Sequence, residues 1–285
     1  MSKPDKLSRS QQRDAAREKA REIREQHKKA EKARQIGFAG GIITAILILG
    51  GLIGWAVVTA GPTEIAKPTN LTYDNGIRIG KNLEAFTATN KPTTEDVPVI
   101  SIYVDYQCPF CANFENFNAP LIESKVAAGE WIVEYHPISF LDGGGSPNEF
   151  SSRAANAAVC VGEFSPNQYM AMNNKIFANQ PPEATAGPED NELVAFAESV
   201  GVSNLDKIRS CIKNKAFDKW IGDTTSDTLG APAPGTTDLI VDSTPFVVLN
   251  GMRYSGSAEE MANPARFEQW VLPVFGLRSS PPQQK

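Results

Sequence analysis

The sequence is poor in the side chains that usually bind metal ions. Its 285 residues include four cysteines and two histidines, and His136 is the only histidine beyond residue 35. A structural zinc site needs four closely placed ligands, and the cysteines other than Cys108 and Cys111 lie far along the chain. We therefore expect no metal site.

Basic residues are scarce beyond the N-terminal segment. Residues 1–35 carry twelve Lys or Arg against six Asp or Glu, whereas the rest of the chain carries 16 basic and 27 acidic residues. A nucleic-acid-binding body would need clustered Lys and Arg to neutralise phosphates. We expect no nucleic-acid partner.

Charged residues are absent from residues 36–60. As a helix this segment would be about 37 Å long, which is enough to cross a bilayer. A cleaved signal peptide is the alternative, because residues 58–60 resemble a small-residue cleavage site, yet signal peptides have apolar regions of only about 7 to 15 residues. We predict a single transmembrane anchor in the cell membrane, with residues 1–35 in the cytoplasm and the main body outside it.

The chain beyond this segment begins with strand patterns. Residues 61–70 contain two prolines and predict a linker. Short alternating runs on either side of Asn75 and Gly76 predict a hairpin at the edge of a sheet. The run 99–106 is apolar on both faces, as is typical of a central, buried strand.

A β-α-β unit follows from this central strand. Residues 131–140 form a second strand pattern, and residues 112–128 between the two have the composition and apolar spacing of a helix. The crossover should be right-handed. Pro120 should kink or divide the helix, because proline has no N–H to donate.

Residues 146–230 have the pattern of an inserted block of helices. Ser146 and Ser165 each begin a capping-box pattern with proline at the first helical position. An apolar stripe over residues 205–220 predicts the fourth helix of the block.

The C-terminal part returns to a strand pattern. Thr244 and Pro245 lead into a hairpin over residues 246–256, and residues 264–275 form a closing helix with one apolar face. Residues 278–285 predict a disordered tail.

Four cysteines outside the cytoplasm are most simply two disulfides. Cys108 and Cys111 lie at a strand-to-helix turn, so Cys108 should be exposed at the helix N-terminus, where the helix dipole favours its thiolate. Cys111 should lie one turn inside, close enough to resolve a mixed disulfide but shielded from substrates. For Cys160 and Cys211 we predict a structural disulfide, with a second redox relay as the alternative.

These features together resemble a known family. The run Asp-Tyr-Gln-Cys-Pro-Phe-Cys at residues 105–111 ends a strand and begins a helix, a helical insertion follows, and Thr244-Pro245 precedes a hairpin. The chain resembles the DsbA-like thiol-disulfide oxidoreductases of the thioredoxin superfamily, in the membrane-anchored form found in Gram-positive bacteria. The resemblance implies an α/β thioredoxin-like fold with an inserted helical subdomain, over residues 71–277.

The resemblance also implies roles for individual residues. Pro245 would be a cis proline facing the cysteine pair, and Thr244 would offer its backbone to a substrate chain. Pro109 and Phe110 would belong to the substrate-binding surface. Phe246 would either extend this apolar surface or belong to the core.

The chain departs from the family pattern at two positions. Phe110 stands where the archetypal oxidase has histidine, and Ile102 stands where a carboxylate is often found. Asp105 is the nearest acid; a solvated or turn-capping role is favoured, with proton relay to Cys111 as the alternative. For His136 a structural role is favoured over a catalytic one.

The resemblance implies an enzyme that introduces disulfides into exported proteins without a cofactor. Its partners would be reduced exported clients and a quinone-coupled membrane re-oxidase of the DsbB or vitamin K epoxide reductase type. The same residues would serve an isomerase or a reductase, as in cytochrome maturation, if the redox potential were low. A non-enzymatic, disulfide-stapled binding module tethered to the membrane is the alternative of another class.

Overall fold

The structure, a computed structural model, describes residues 66–70, 75–91 and 97–276. The basic segment 1–35, the predicted anchor 36–60 and the tail 278–285 lie outside the described residues. Within the described ranges no helix is long and apolar enough to span a bilayer.

A five-stranded mixed sheet forms the centre of the domain. Its strands lie in the order β1-β3-β2-β4-β5. Only β2 and β3 are parallel to each other, and all other neighbours are antiparallel. The strands are β1 (Ile77–Ile79), β2 (Val99–Val104), β3 (Ile132–Pro137), β4 (Phe246–Leu249) and β5 (Met252–Tyr254). The first strand of the predicted hairpin, residues 71–73, lies outside the described residues. Its second strand, β1, lies at the sheet edge as expected.

The parallel pair β2 and β3 is connected by helix α1 (Pro109–Ala128). Pro120 lies inside α1 and does not divide it, so of the two predicted effects, a kink or a division, the division is wrong. The reason is tertiary packing. Phe114, Ile122 and Val126 are buried on both sides of the proline, and their burial outweighs the loss of one backbone hydrogen bond.

The inserted block contains five helices within the described residues. They are α2 (Phe150–Phe164), α3 (Tyr169–Phe177), α4 (Asp190–Ser199), α5 (Leu205–Lys213) and α6 (Asp218–Thr228). Helix α2 is buried along nearly its whole length and is the centre of the block. The predicted fourth helix is two helices, because Lys215 adopts a left-handed conformation with φ 48° and turns the chain between α5 and α6.

The two predicted helix starts are shifted. Helix α2 begins at Phe150, four residues after Ser146, because Glu149 is left-handed with φ 52°. The Ser146 hydroxyl still accepts a hydrogen bond from the Phe150 N–H at 3.1 Å. A short 3-10 turn (Pro166–Gln168) lies between Ser165 and α3.

The C-terminal helices close the domain against the sheet. They are α7 (Ala258–Met261) and α8 (Pro264–Gly276). Phe267 of α8 is fully buried and makes edge contacts with Phe114 of α1 and Trp131 beside β3. The C-terminal helix therefore holds α1, which carries both Cys108 and Cys111 at its start, against the sheet.

Candidate active site

Strand β2 and helix α1 place the cysteine pair at one end of the sheet. Cys108 is the N-cap residue of α1, and Pro109 occupies the first helical position, where its missing N–H costs nothing. The Cys108 N–H donates to the Asp105 carbonyl at 3.0 Å, and the Cys108 carbonyl accepts from the Ala112 N–H at 3.1 Å. Cys108 and Cys111 are both thiols.

The loop before β4 forms the opposite wall of the site. The Thr244–Pro245 peptide bond is cis, and the Cys108 thiol donates to the Thr244 carbonyl at 3.3 Å. Cys108 is only 5% exposed, so the expectation of an exposed sulfur is wrong. The physical reason is that this loop, 136 residues further along the chain, packs directly on the sulfur.

The surroundings of the two thiols shift their pKa values in opposite directions. A hydrogen bond from the Cys111 thiol, together with the N–H groups of Phe110 and Cys111, outweighs burial and lowers the pKa of Cys108 to about 7. Cys111 is completely buried, and desolvation raises its pKa well above the usual value. Cys108 is thus the sulfur that ionises near neutral pH, and the thiolate is the nucleophile in disulfide exchange.

Thr244 contributes more than its backbone. Its hydroxyl oxygen is buried and has no hydrogen-bond partner among the described residues, and the side chain lowers the pKa of both Cys108 and Cys111. The Thr244 hydroxyl thus favours the ionised form of both sulfurs. Sequence reasoning assigned only the Thr244 backbone to the site.

Asp105 supports the turn that carries Cys108. Its carboxylate accepts from the Gln107 N–H at 2.8 Å, the Ser151 hydroxyl at 2.6 Å and the Leu141 N–H at 3.0 Å. It is fully buried, and desolvation raises its pKa to about 6 despite these bonds. Of the two roles predicted for Asp105, turn capping agrees with this geometry, and a solvated carboxylate does not. Both oxygens are occupied by structural donors.

Two glutamine side chains connect the active-site turn to the helical block. The Gln180 amide donates to the carbonyls of Tyr106 and Cys108, both at 2.9 Å. In return the Gln107 amide donates to the Thr185 carbonyl at 2.8 Å and to the Pro182 carbonyl at 3.4 Å. Sequence reasoning missed this connection, because nothing in the pattern pairs residues more than 70 positions apart.

A second buried acid, Glu115, lies one helical turn beyond Cys111. Its Oε2 accepts from the Tyr135 hydroxyl at 3.2 Å and the Asn173 amide at 3.1 Å, while Oε1 has no partner among the described residues. Desolvation raises the pKa of Glu115 to about 8. The Asn173 side chain also accepts from the Tyr106 hydroxyl at 3.0 Å, so a buried polar network runs beneath the site.

The apolar residues near the site divide into exposed and buried groups. Phe110 is 58% exposed, whereas Phe246 is fully buried and belongs to the core. Phe110 and Pro245 line a pocket of about 270 Å³ that also includes Thr244, Arg253 and Met261. Thr244, whose carbonyl accepts from the Cys108 thiol, is part of this lining. The pocket therefore adjoins Cys108, and Phe110, Pro245 and Met261 offer apolar contacts for a bound chain.

The remaining predicted residues have structural positions. Ile102 is fully buried in the core. His136 bonds to Glu134 at 2.9 Å and stacks on Tyr103 with ring centroids 4.3 Å apart, which is the structural role that the sequence favours. Cys160 of α2 and Cys211 of α5 form a disulfide. The described part of the chain contains no cluster of three or more potential metal ligands.

A helix-capping thiol of lowered pKa, a buried partner thiol and a facing proline loop form an arrangement that can carry out thiol-disulfide exchange. A family model described as Thioredoxin matches residues 94–271. Since the match covers well over half of the chain, this protein belongs to the thioredoxin family.

Solved structures share the fold. Disulfide bond oxidoreductase DsbG from Mycobacterium tuberculosis is 25% identical, with a TM-score of 0.56 over 72% of this chain and 90% of that structure. DsbA from the same organism is 24% identical, with a TM-score of 0.55 over 73% of this chain and 94% of that structure. The fold is therefore that of the DsbA-like thiol-disulfide oxidoreductases.

A curated relative shows a more local similarity. The serine/threonine-protein kinase PknE of Mycobacterium tuberculosis is 34% identical over 129 residues. The matched region is 44% of this chain and 22% of the kinase. This chain therefore corresponds to a minor part of the kinase's length.

Proposed function

We propose that this protein is an extracytoplasmic thiol oxidase that introduces disulfides into exported proteins through Cys108 and Cys111. The proposal rests on the unequal placement of the two sulfurs. Cys108 caps the helix beside the Thr244 carbonyl at 3.3 Å, whereas Cys111 lies one turn deeper and is completely buried. Cys108 keeps a small exposed area, 5% against 0% for Cys111, so a client meets Cys108 and Cys111 acts as the leaving and resolving thiol.

The reaction proceeds in two exchanges. A client thiolate attacks the Cys108 sulfur of the Cys108–Cys111 disulfide; the client–Cys108 bond forms, and Cys111 leaves as a thiolate that takes up a proton. The second client thiolate then attacks the client's own sulfur, and Cys108 leaves as a thiolate. The client loses two electrons and two protons, and the enzyme ends as a dithiol. The lowered pKa of Cys108 makes it the better leaving group in the second step.

Turnover requires a partner that removes two electrons from the dithiol. The DsbA-like fold supports a quinone-coupled membrane re-oxidase of the DsbB or vitamin K epoxide reductase type, with reduced exported proteins as clients. Pro109, Phe110, Thr244 and Pro245 would contact the client chain. Isomerase and reductase roles use the same residues and differ in redox potential.

The redox equilibrium of the Cys108–Cys111 pair with glutathione distinguishes these roles. For the oxidase we expect a potential of about −120 mV, because an oxidase must give up its disulfide to the thiols of its clients. The measurement is the fraction of dithiol at defined ratios of reduced to oxidised glutathione. A potential of about −270 mV would contradict the oxidase and favour a reductase.

We also propose that residues 36–60 anchor the protein, with residues 1–35 in the cytoplasm and a catalytic domain of residues 71–277 outside it. The uncharged segment and its basic flank support this orientation. A reporter enzyme that is active only outside the cytoplasm should be active when fused after residue 285 and inactive when fused after residue 35. Release of the first fusion from membranes by alkaline carbonate would indicate a cleaved signal peptide instead.

A further inference from the structure

The pocket beside Cys108 contains one charged side chain. Arg253 of β5 lines it together with Phe110, Thr244, Pro245 and Met261. All other residues that line this pocket are uncharged. A chain that reacts with Cys108 therefore passes a pocket of mixed apolar and hydroxyl-bearing side chains that carries a single positive charge.

The Arg253 guanidinium is held in a defined position. It lies over the buried Phe246 ring, 4.3 Å from the ring centroid. One terminal nitrogen donates to the Ser243 hydroxyl at 2.7 Å, and the other donates to Asp242 at 2.9 Å. Arginine has five N–H groups, so these two bonds leave donors for a ligand. Because the group is already ordered, binding to it loses little conformational entropy.

The acid that pairs with Arg253 does not line the pocket. The Asp242 side chain is 61% exposed, whereas that of Arg253 is 30% exposed. Water therefore screens Asp242 more strongly than it screens the guanidinium. Glu260 does not line the pocket either. Its carboxylate accepts from the Ser257 N–H at 2.7 Å and lies 4.0 Å from Arg266, so this second acid already has partners of its own.

From this arrangement we infer that Arg253 selects clients with a carboxylate side chain within two residues of the reacting cysteine. An extended chain advances about 3.3 Å per residue, so an acidic neighbour of a cysteine held at Cys108 reaches the adjacent pocket. Phe110, Pro245 and Met261 accommodate the methylenes of Glu or Asp, and the guanidinium pairs with the carboxylate. This inference rests on the proposed exchange reaction at Cys108.

The test uses sets of three two-cysteine peptides, and the members of a set differ only in having Glu, Gln or Lys at one position. One set is made for each position up to two residues before or after the reacting cysteine. The rate constant for reduction of the oxidised full-length chain is measured by acid quench and thiol counting. At the best position we expect the Glu peptide to react about fivefold faster than the Gln peptide, and the Lys peptide to be slowest. In 1 M salt the preference should largely disappear.

Two variants of the full-length chain test the assignment in opposite directions. Arg253→Gln should bring the Glu-to-Gln rate ratio to about one, and Asp242→Asn should raise it above the wild-type ratio because the competing carboxylate is removed. A ratio that Arg253→Gln does not change overturns the inference. If Arg253→Gln does not fold, the Asp242→Asn variant decides. A Glu-to-Gln rate ratio at or below the wild-type ratio overturns the inference, and a higher ratio supports it.

The same rates separate this inference from the proposed function. If every peptide reacts and the Glu-to-Gln ratio is close to one at all positions, the exchange reaction stands and the selectivity is wrong. If no peptide reduces the oxidised wild-type chain, the exchange function fails, and the selectivity fails with it.

Discussion

Cys108→Ala is expected to lower the oxidation of a reduced client by at least about a thousandfold. Cys111 cannot replace it, since that sulfur is completely buried and its pKa is raised well above the usual value. The measurement is the rate of disulfide formation in a reduced two-cysteine client, with the full-length chain as oxidant.

Cys111→Ala should give a different result. It retains the Cys108 thiol at the helix N-terminus but lacks the resolving sulfur, so mixed disulfides with clients should accumulate and be visible on non-reducing gels. A client isolated in this way would identify a natural substrate. Cys108→Ala therefore tests formation of the mixed disulfide, and Cys111→Ala tests its resolution.

The matched control removes the other two cysteines. The double variant Cys160→Ala, Cys211→Ala loses the disulfide between α2 and α5 and should be less stable by about 4 kcal/mol, while its exchange chemistry is retained below its melting temperature. Oxidation that survives Cys108→Ala but not this double variant would assign the redox activity to Cys160 and Cys211. Loss of stability alone in Cys108→Ala would support the binding-module alternative.

Glu115→Gln is expected to make the protein more stable at pH 8 by a few kcal/mol and to leave its stability nearly unchanged at pH 4. Burial raises the pKa of Glu115 from 4.5 to about 8 in the folded chain. Between these values the folded state holds a proton that the unfolded state has released. The free energy of unfolding therefore falls as pH rises, by about 1.4 kcal/mol per pH unit. Gln cannot ionise, so it removes this loss.

The measurement is urea unfolding of wild type and Glu115→Gln at several pH values from 4 to 9. Asp105, with a pKa raised to about 6, adds a similar slope to both proteins, and taking their difference removes it. Tyr135→Phe is the matched comparison: it deletes the hydroxyl that lowers the pKa of Glu115, so the pH-dependent loss should extend to higher pH. Parallel pH profiles for wild type and Glu115→Gln would show that Glu115 ionises normally.

The local sequence pattern was sufficient to predict the type and order of β2 and α1, the two elements that flank and carry the cysteines. An apolar run followed by a helical pattern over residues 112–128 predicts a strand that leads into a helix, with Cys108 at its start. The structure has β2 ending at Val104 and α1 beginning at Pro109. The β-α-β unit and the closing hairpin follow from similar local signals. Predictions were poorer at element ends, where backbone conformations such as the left-handed Glu149 and Lys215 break an otherwise regular pattern.

The surroundings of the cysteines depended on contacts between distant segments. The burial of Cys108 comes from the Thr244 loop, and the carbonyls of the active-site turn are held by Gln180. The partners of Glu115 lie on β3 and α3. None of these pairs has a sequence signal, because hydrogen bonds between segments depend on how the elements pack.

The sequence by itself determined that two cysteines lie at the start of a helix in an α/β domain, because helix capping and apolar periodicity act over a few residues. Only the tertiary structure decided which of the two sulfurs ionises, how far each is buried and which charge lines the adjacent pocket. These properties depend on desolvation and on partners that come from β4, β5 and the helical block, and such partners meet only in the folded chain.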